Sequence, residues 1–149
     1  MSMPMAVGTM PGLPLRRVLV GAAAATLARF ALRTLGFHRV ITMVRWLAAR
    51  TRYSATTEDV LGVLRAIDTA AAWLPFRVAC LERSLAAVCL LAVRRRGVVW
   101  QVGVRTPPFA MHAWLTTQTG EILGEPESTV AYQPLIKMTP SIENERSTT

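Results

Sequence analysis

The sequence predicts an α+β fold: N-terminal helices followed by an antiparallel β-sheet packed on a central helix that bears a cysteine. Three observations carry this. Apolar residues recur at helical spacing before Gly97 and in short alternating runs after it, so helices and strands are segregated along the chain. The 149 residues, 52% of them apolar, suffice for a single core. Two cysteines without a secretory signal point to free thiols in a reducing cytoplasm, not to a disulfide framework.

Residues 1–14, "MSMPMAVGTMPGLP", contain three prolines and no apolar period, and are expected to be a flexible tail. Residues 15–74 read as a helical region. Helical spacing runs from 15 to about 35 and from about 38 to 50 with Gly36 as the stop between, a hairpin that leaves Arg29, Arg33 and Arg45 on a wetted side. In "TTEDVLGVLRAIDTAAAWLP", Thr56 is a candidate N-cap with Asp59 three positions on, and Pro75 terminates the third helix. A core region is expected over 75–135. It opens with "CLERSLAAVCLLAVRRRG", a buried helix with Cys80 at its start, arginines in its last turn and Gly97 as its stop. Beyond it, "VVWQVGVRT", "FAMHAWLTT", "EILG" and "TVAYQP" are β-rich runs separated by Pro107-Pro108, Thr119-Gly120 and Pro126, which reads as an antiparallel sheet. Residues 136–149 are polar and expected to be a second flexible tail.

Charge is lopsided. Eight arginines precede the first acidic residue, Glu58, whereas the remainder is close to neutral. Lys137 is the only lysine, so the basic balance reads as coding bias more than as a designed polybasic surface. Without an aromatic-interleaved basic patch or a Gly-rich loop, no nucleic-acid partner is expected. Arg16-Arg17 followed by "VLVGAAAATLA" resembles a signal peptide, but Arg29 and Arg33 interrupt it after eleven residues, too few to span. Interfacial membrane contact is the lesser reading of the cationic half; docking of another protein or an acidic peptide is the preferred one.

The exposed amides and dipole of a helix N-terminus stabilise a thiolate, which makes Cys80 a candidate nucleophile. Cys89, nine residues on, falls on the opposite side of the same helix and reads as inert core, so no metal clip or disulfide joins the two and no cofactor is expected. On its strand His112 shares a face with Ala110, Trp114 and Thr116, while Met111, Ala113 and Leu115 share the apolar one. A lone histidine there is either a hydrogen-bonded structural residue or, paired with a thiol, the base of a cysteine hydrolase. Thr119-Gly120 closes a hairpin whose three plausible registers set 125, 126 or 127 opposite His112. Glu125 and Glu127 are thus candidates to orient the imidazole, Glu125 first; Glu121 lies too near the turn.

Taken together, "CLERSLAAVCLLAVRRRG" and "VGVRTPPFAMHAWLTTQTGEILGE" resemble the transglutaminase-like leader peptidases of lasso-peptide biosynthesis, a papain-related cysteine protease family. The resemblance covers about 75 to 135 and rests on the C-L-x-R-S-L and P-F-x-x-H-A-W elements. It implies Cys80 as nucleophile and His112 as base. The family's third member is usually an aspartate in the strand after the histidine; this chain has Gly124 or Glu125 there, and Glu125 is the residue able to serve. The implied reaction removes the leader from a ribosomally made precursor through a thioester, freeing the core peptide for a separate ATP-dependent lasso cyclase. A small pocket beside Cys80 is implied, with Trp114, Trp100 and Arg83 as candidate substrate-contacting residues, the two tryptophans reading equally well as plain core. No leader-binding module is recognised at either end, so a stand-alone peptidase acting with a separate leader-recognition protein is expected. The competing readings are a non-catalytic peptide-binding scaffold of the same fold, and acyl transfer in place of hydrolysis.

Overall fold

A computed structural model describes residues 13–141, so the tail expected at 1–14 lies almost wholly outside the described residues, as do residues 142–149. Helix α1 (Leu15–Thr34) begins where Pro14 ends the preceding extended chain, its carbonyl accepting from the Arg17 N–H at 2.8 Å. It buries its small-residue face, Val18, Gly21, Ala25 and Ala28, against α3 and α4. The break falls at Leu35 and Gly36, and α2 (Gly36–Ala48) turns Val40 and Val44 inward. Helix α3 (Thr57–Ala71) opens with the expected reciprocal cap: Asp59 N–H donates to Thr56 Oγ1 and Thr56 N–H to Asp59 Oδ2, both at 3.1 Å. The Thr56 backbone bond lowers the Asp59 pKa against the opposing cost of burial, with the Thr56 hydroxyl and then the arginines at 96 and 94 adding to the lowering.

Helix α4 (Cys80–Val93) runs through the middle of the molecule, and it ends sooner than the sequence suggests. Arg95, at φ 57°, takes the left-handed turn expected of Gly97. Gly97 instead lies in a two-residue strand, β2 (Arg96–Gly97), paired parallel with β1 (Tyr53–Ser54), a contact absent from the sequence reading. The physical reason is proximity, since a Cβ on Gly97 would collide with the Pro140 ring and Thr51 Oγ1.

Strands β3 (Val99–Arg105), β4 (Ala110–Thr116), β5 (Ile122–Leu123) and β6 (Gln133–Met138) form one antiparallel sheet in the order β5-β4-β3-β6. The run "TVAYQP" is not a single strand. Glu127–Ala131 is a 3-10 turn, and β6 starts at Gln133 and extends into the stretch expected to be a flexible tail. Burial decides this, because Met138 pairs with Trp100 and packs with Ile136 against the core.

Side chains from α1, α2, α3, α4 and the sheet meet in one cluster that includes Ala25, Val44, Ile67, Leu85, Leu91, Trp100 and Leu115. Each large member contributes about 1.5–3 kcal/mol by leaving water. Residues 15–74 therefore share a core with the sheet that follows them. No helix among the described residues is long and apolar enough to cross a membrane.

Candidate active site

Cys80 is the first residue of α4, preceded by extended Ala79 at φ −78° and ψ 162°. Alanine has no side-chain acceptor for the first-turn amides, and Glu82 supplies only the reciprocal half of a cap: its Oε2 accepts the Ala79 N–H at 3.1 Å. The nearly buried Glu82 is held in turn from α1, where Arg29 Nη1 reaches Glu82 Oε1 and the Arg77 carbonyl, each at 3.4 Å. The Arg29 guanidinium also lies 4.6 Å over the Phe76 ring. Arg29 was expected on a wetted side; it is turned inward to tether the segment that delivers Cys80. The thiol itself is free and half-buried at a helix N-terminus. Cys89, also free, packs at the margin of the core, where burial pushes its thiol pKa up.

His112 stands in β4 opposite Gly103 of β3. Its Nε2 lies 2.8 Å from Glu125 Oε2. A carboxylate paired with a guanidinium accepts only, so Nε2 carries the proton, and in the neutral ring the lone pair lies on Nδ1. The Trp114 ring stacks on the imidazole at 6.0 Å and 15°, and Tyr132 tilts against it at 5.3 Å. Two aromatic neighbours and a carboxylate thus restrict how the ring can turn.

Glu125 reaches this place by a route the hairpin pattern does not describe. The β4–β5 register pairs Leu115 with Leu123 and Thr116 with Ile122, which extrapolates to Pro126 opposite His112. However, β5 stops at Leu123 and Gly124 turns the chain at φ +66°. A Cβ there would clash with the Leu64 side chain of α3, so glycine is required twice over, by conformation and by contact. The turn brings Glu125 beneath His112, its side chain only 8% exposed. Glu127 opens the 3-10 turn and Glu121 lies in the β4–β5 loop; both are exposed.

Arg83 connects this group to the cysteine helix. One turn beyond Cys80 on α4, it donates from Nη1 to Glu125 Oε1 at 2.7 Å. Its other edge grips Asp68 of α3 in two bonds, Nε to Oδ1 at 2.6 Å and Nη2 to Oδ2 at 2.9 Å. The hydrogen bonds and charge of Asp68, then of Glu125, raise the Arg83 pKa. A continuous path, Asp68–Arg83–Glu125–His112, therefore ties the imidazole to the N-terminal end of α4, where Cys80 stands.

The residues expected to contact substrate are placed differently. Trp100 is fully buried, its Nε1 donating to Ser84 Oγ at 2.9 Å; it is core and has no surface to offer. Trp114 is 3% exposed and serves as a wall behind His112. Arg83 is occupied by two carboxylates. Conversely Asp68, Tyr132 and Arg29 adjoin this group and were not read from the sequence as part of it, and Gly124 was named only for its place in the alignment, not as a turn. Gly124 sat beside Glu125 in the motif alignment and was a usable signal; Asp68, on another helix, had none. Among the described residues no group of histidine, cysteine and carboxylate side chains is arranged to hold a metal ion.

A family model described as the transglutaminase-like superfamily matches residues 22–137, from within α1 to within β6. No curated protein and no solved structure matches the chain.

Proposed function

The chain belongs to the transglutaminase-like superfamily, which includes cysteine peptidases, and from that premise we propose that it is a cysteine peptidase that removes the leader from a ribosomally made lasso-peptide precursor. The observation that carries the reading is the His112–Glu125 hydrogen bond tied through Arg83 to the helix that Cys80 begins. Family membership supplies the reaction class, and the Cys80 and His112 motif elements supply the substrate class.

With Nε2–H held by Glu125, Nδ1 is the ring atom available to take the thiol proton. The thiolate at the start of α4 attacks the carbonyl carbon of the last leader residue. Negative charge then develops on the carbonyl oxygen, and the Cys80 N–H, one of the first helix amides without an intrahelical partner, is positioned to donate to it. Collapse expels the core peptide's amine, which leaves with the proton from Nδ1, and the leader stays on sulfur as a thioester. Nδ1 next takes a proton from water, the hydroxide adds to the thioester, and the leader departs as a carboxylic acid that ionises to solvent, while the proton on Nδ1 returns to sulfur. Throughout, Glu125 stabilises the imidazolium that forms twice per cycle and keeps the ring from flipping.

The partners follow from the same reading: the precursor's leader, a separate leader-recognition protein, and a lasso cyclase that consumes the product. The outward face of α1, with Leu15, Leu19, Leu27 and Phe30 each at least 60% exposed and no acidic residue before Glu58, suits a docking surface for the recognition protein with its leader. Acyl transfer is the second reading, favoured by the superfamily itself. Incubating the protein with a precursor peptide encoded beside its gene, the neighbouring recognition protein and a primary amine, followed by mass analysis, tests both. Free leader acid and free core peptide are expected; a leader–amine adduct in place of the acid favours transfer, and no processing by a protein whose Cys80 is intact removes both.

A further inference from the structure

Glu125 has two carboxylate oxygens and each is claimed: Oε2 faces His112 Nε2 at 2.8 Å and Oε1 faces Arg83 Nη1 at 2.7 Å. The terminal torsion of a glutamate is broad, so a carboxylate bonded to the ring alone could rotate and offer either oxygen. A guanidinium on Oε1 closes that rotation. Arg83 is itself fixed, since Asp68 grips its Nε and Nη2 in the planar, two-bond geometry that only arginine provides. Three elements, α3, α4 and the turn after β5, thereby hold one carboxylate. Resting on the peptidase reading, we infer that Arg83, braced by Asp68, is a positioning residue: it holds Glu125 so that His112 keeps its proton on Nε2 and presents Nδ1 to the thiol of Cys80.

A rival account makes opposite predictions. If Arg83 acted merely as a charge, its removal would relieve repulsion on the imidazolium, and Cys80 would become more reactive near neutrality. If it positions, its removal lets Glu125 and the ring wander, and Cys80 becomes less reactive. The sign of the change separates the two. Tyr132, which tilts against the imidazole, and the Arg105 guanidinium, which lies 5.1 Å over the Tyr132 ring, are the same in every variant.

The test needs no precursor. In a Cys89→Ala background, the rate of alkylation of Cys80 by iodoacetamide is followed from pH 5 to 10, alongside 15N spectra that report the His112 tautomer. Arg83→Gln is expected to lower the rate at pH 6–7 by about tenfold, well inside what misplacing a reacting group can cost. At pH 10, where the thiolate forms unaided, the rate stays unchanged. Arg83→Lys recovers only part of the loss, because an ammonium cannot bridge both carboxylates. Arg83→Gln leaves Glu125 without its cation and its fold is at risk, so Asp68→Asn is the second variant. It keeps the Arg83–Glu125 pair and is expected to show a smaller loss of the same sign, with a mixture of tautomers. Unchanged or faster alkylation at pH 6–7 in Asp68→Asn and in any folded Arg83→Gln protein, with a pure Nε2–H tautomer, overturns the positioning role. Failure of the peptidase reading looks different: the parent protein reacts no faster at pH 6–7 than His112→Ala, while the tautomer spectra still decide whether Arg83 and Asp68 hold the ring.

Discussion

Cys80 and Cys89 are the same residue on the same helix, in different surroundings. Cys80 opens α4, where unpaired amides meet the thiol and Arg83, one turn on, reaches through Glu125 to an imidazole. Cys89 lies more than two turns down the helix among apolar neighbours, and burial pushes its thiol up. The difference teaches that position along α4 sets what a cysteine can be: one at the N-terminal end starts beside helix amides and within a turn of the Arg83–Glu125–His112 chain, whereas one further along packs as a small apolar side chain.

The comparison breaks most directly if the two thiols exchange roles. Cys80→Ala is expected to lower leader removal by about a thousandfold or more, with thermal unfolding unchanged, while Cys89→Ala retains activity and loses at most about 1 kcal/mol. Activity that survives the first substitution and disappears with the second sinks the assignment. Next in size is Glu125→Gln. An amide oxygen still accepts from Nε2 but no longer balances an imidazolium, so kcat should fall by about a hundredfold, the lower end of what a positioned proton-transfer group contributes. A rate within twofold of the parent would mean that His112 needs no carboxylate.

Gly124→Ala sharpens the comparison from the backbone side. A left-handed φ and the Leu64 contact both oppose a Cβ, so stability should drop by about 1–3 kcal/mol, and Cys80 alkylation should slow while that of Cys89 does not. Equal stability of variant and parent would show that the turn is not constrained. The smallest effect is a control remote from both thiols. Thr56→Ala removes the α3 cap at a cost of about 1 kcal/mol and leaves Cys80 reactivity untouched. The Asp59 carboxyl is lowered in the folded state, so its stabilisation is complete above the ordinary 3.8 and is lost as pH falls through the lower folded value. Acid titrations of stability should therefore show that loss in the parent and a diminished one in Thr56→Ala; coincident acid limbs would remove the cap from the account.

Local pattern made much of this legible. Helix starts at residues 15, 57 and 80 followed from Pro14, the Thr56 cap and the apolar period, and strands β3 and β4 from alternation, because each depends on neighbours within a turn or a strand. Misreadings fall where contact over long sequence separation outweighs local preference. Gly97 looked like a helix stop and is a close approach to Pro140. Residues 136–138 looked like a tail and are held by pairing with β3. Trp100 read equally as pocket wall or core, and its contacts across the sheet and α4 make it core, its indole bonded to Ser84.

From the order of its residues alone, this chain determined its class of fold, the placement of a cysteine at a helix start and a histidine in a strand, and a short choice of carboxylates for that histidine. Tertiary structure decided which carboxylate, Glu125 over Glu127, joined it to Arg83 and through Arg83 to Asp68, and set Tyr132 against the imidazole. The reason is geometric: periodicity fixes which way a side chain faces within its own element, whereas a hydrogen bond between elements depends on where a turn such as Gly124 sends the chain, and on three separately folded pieces arriving at one point.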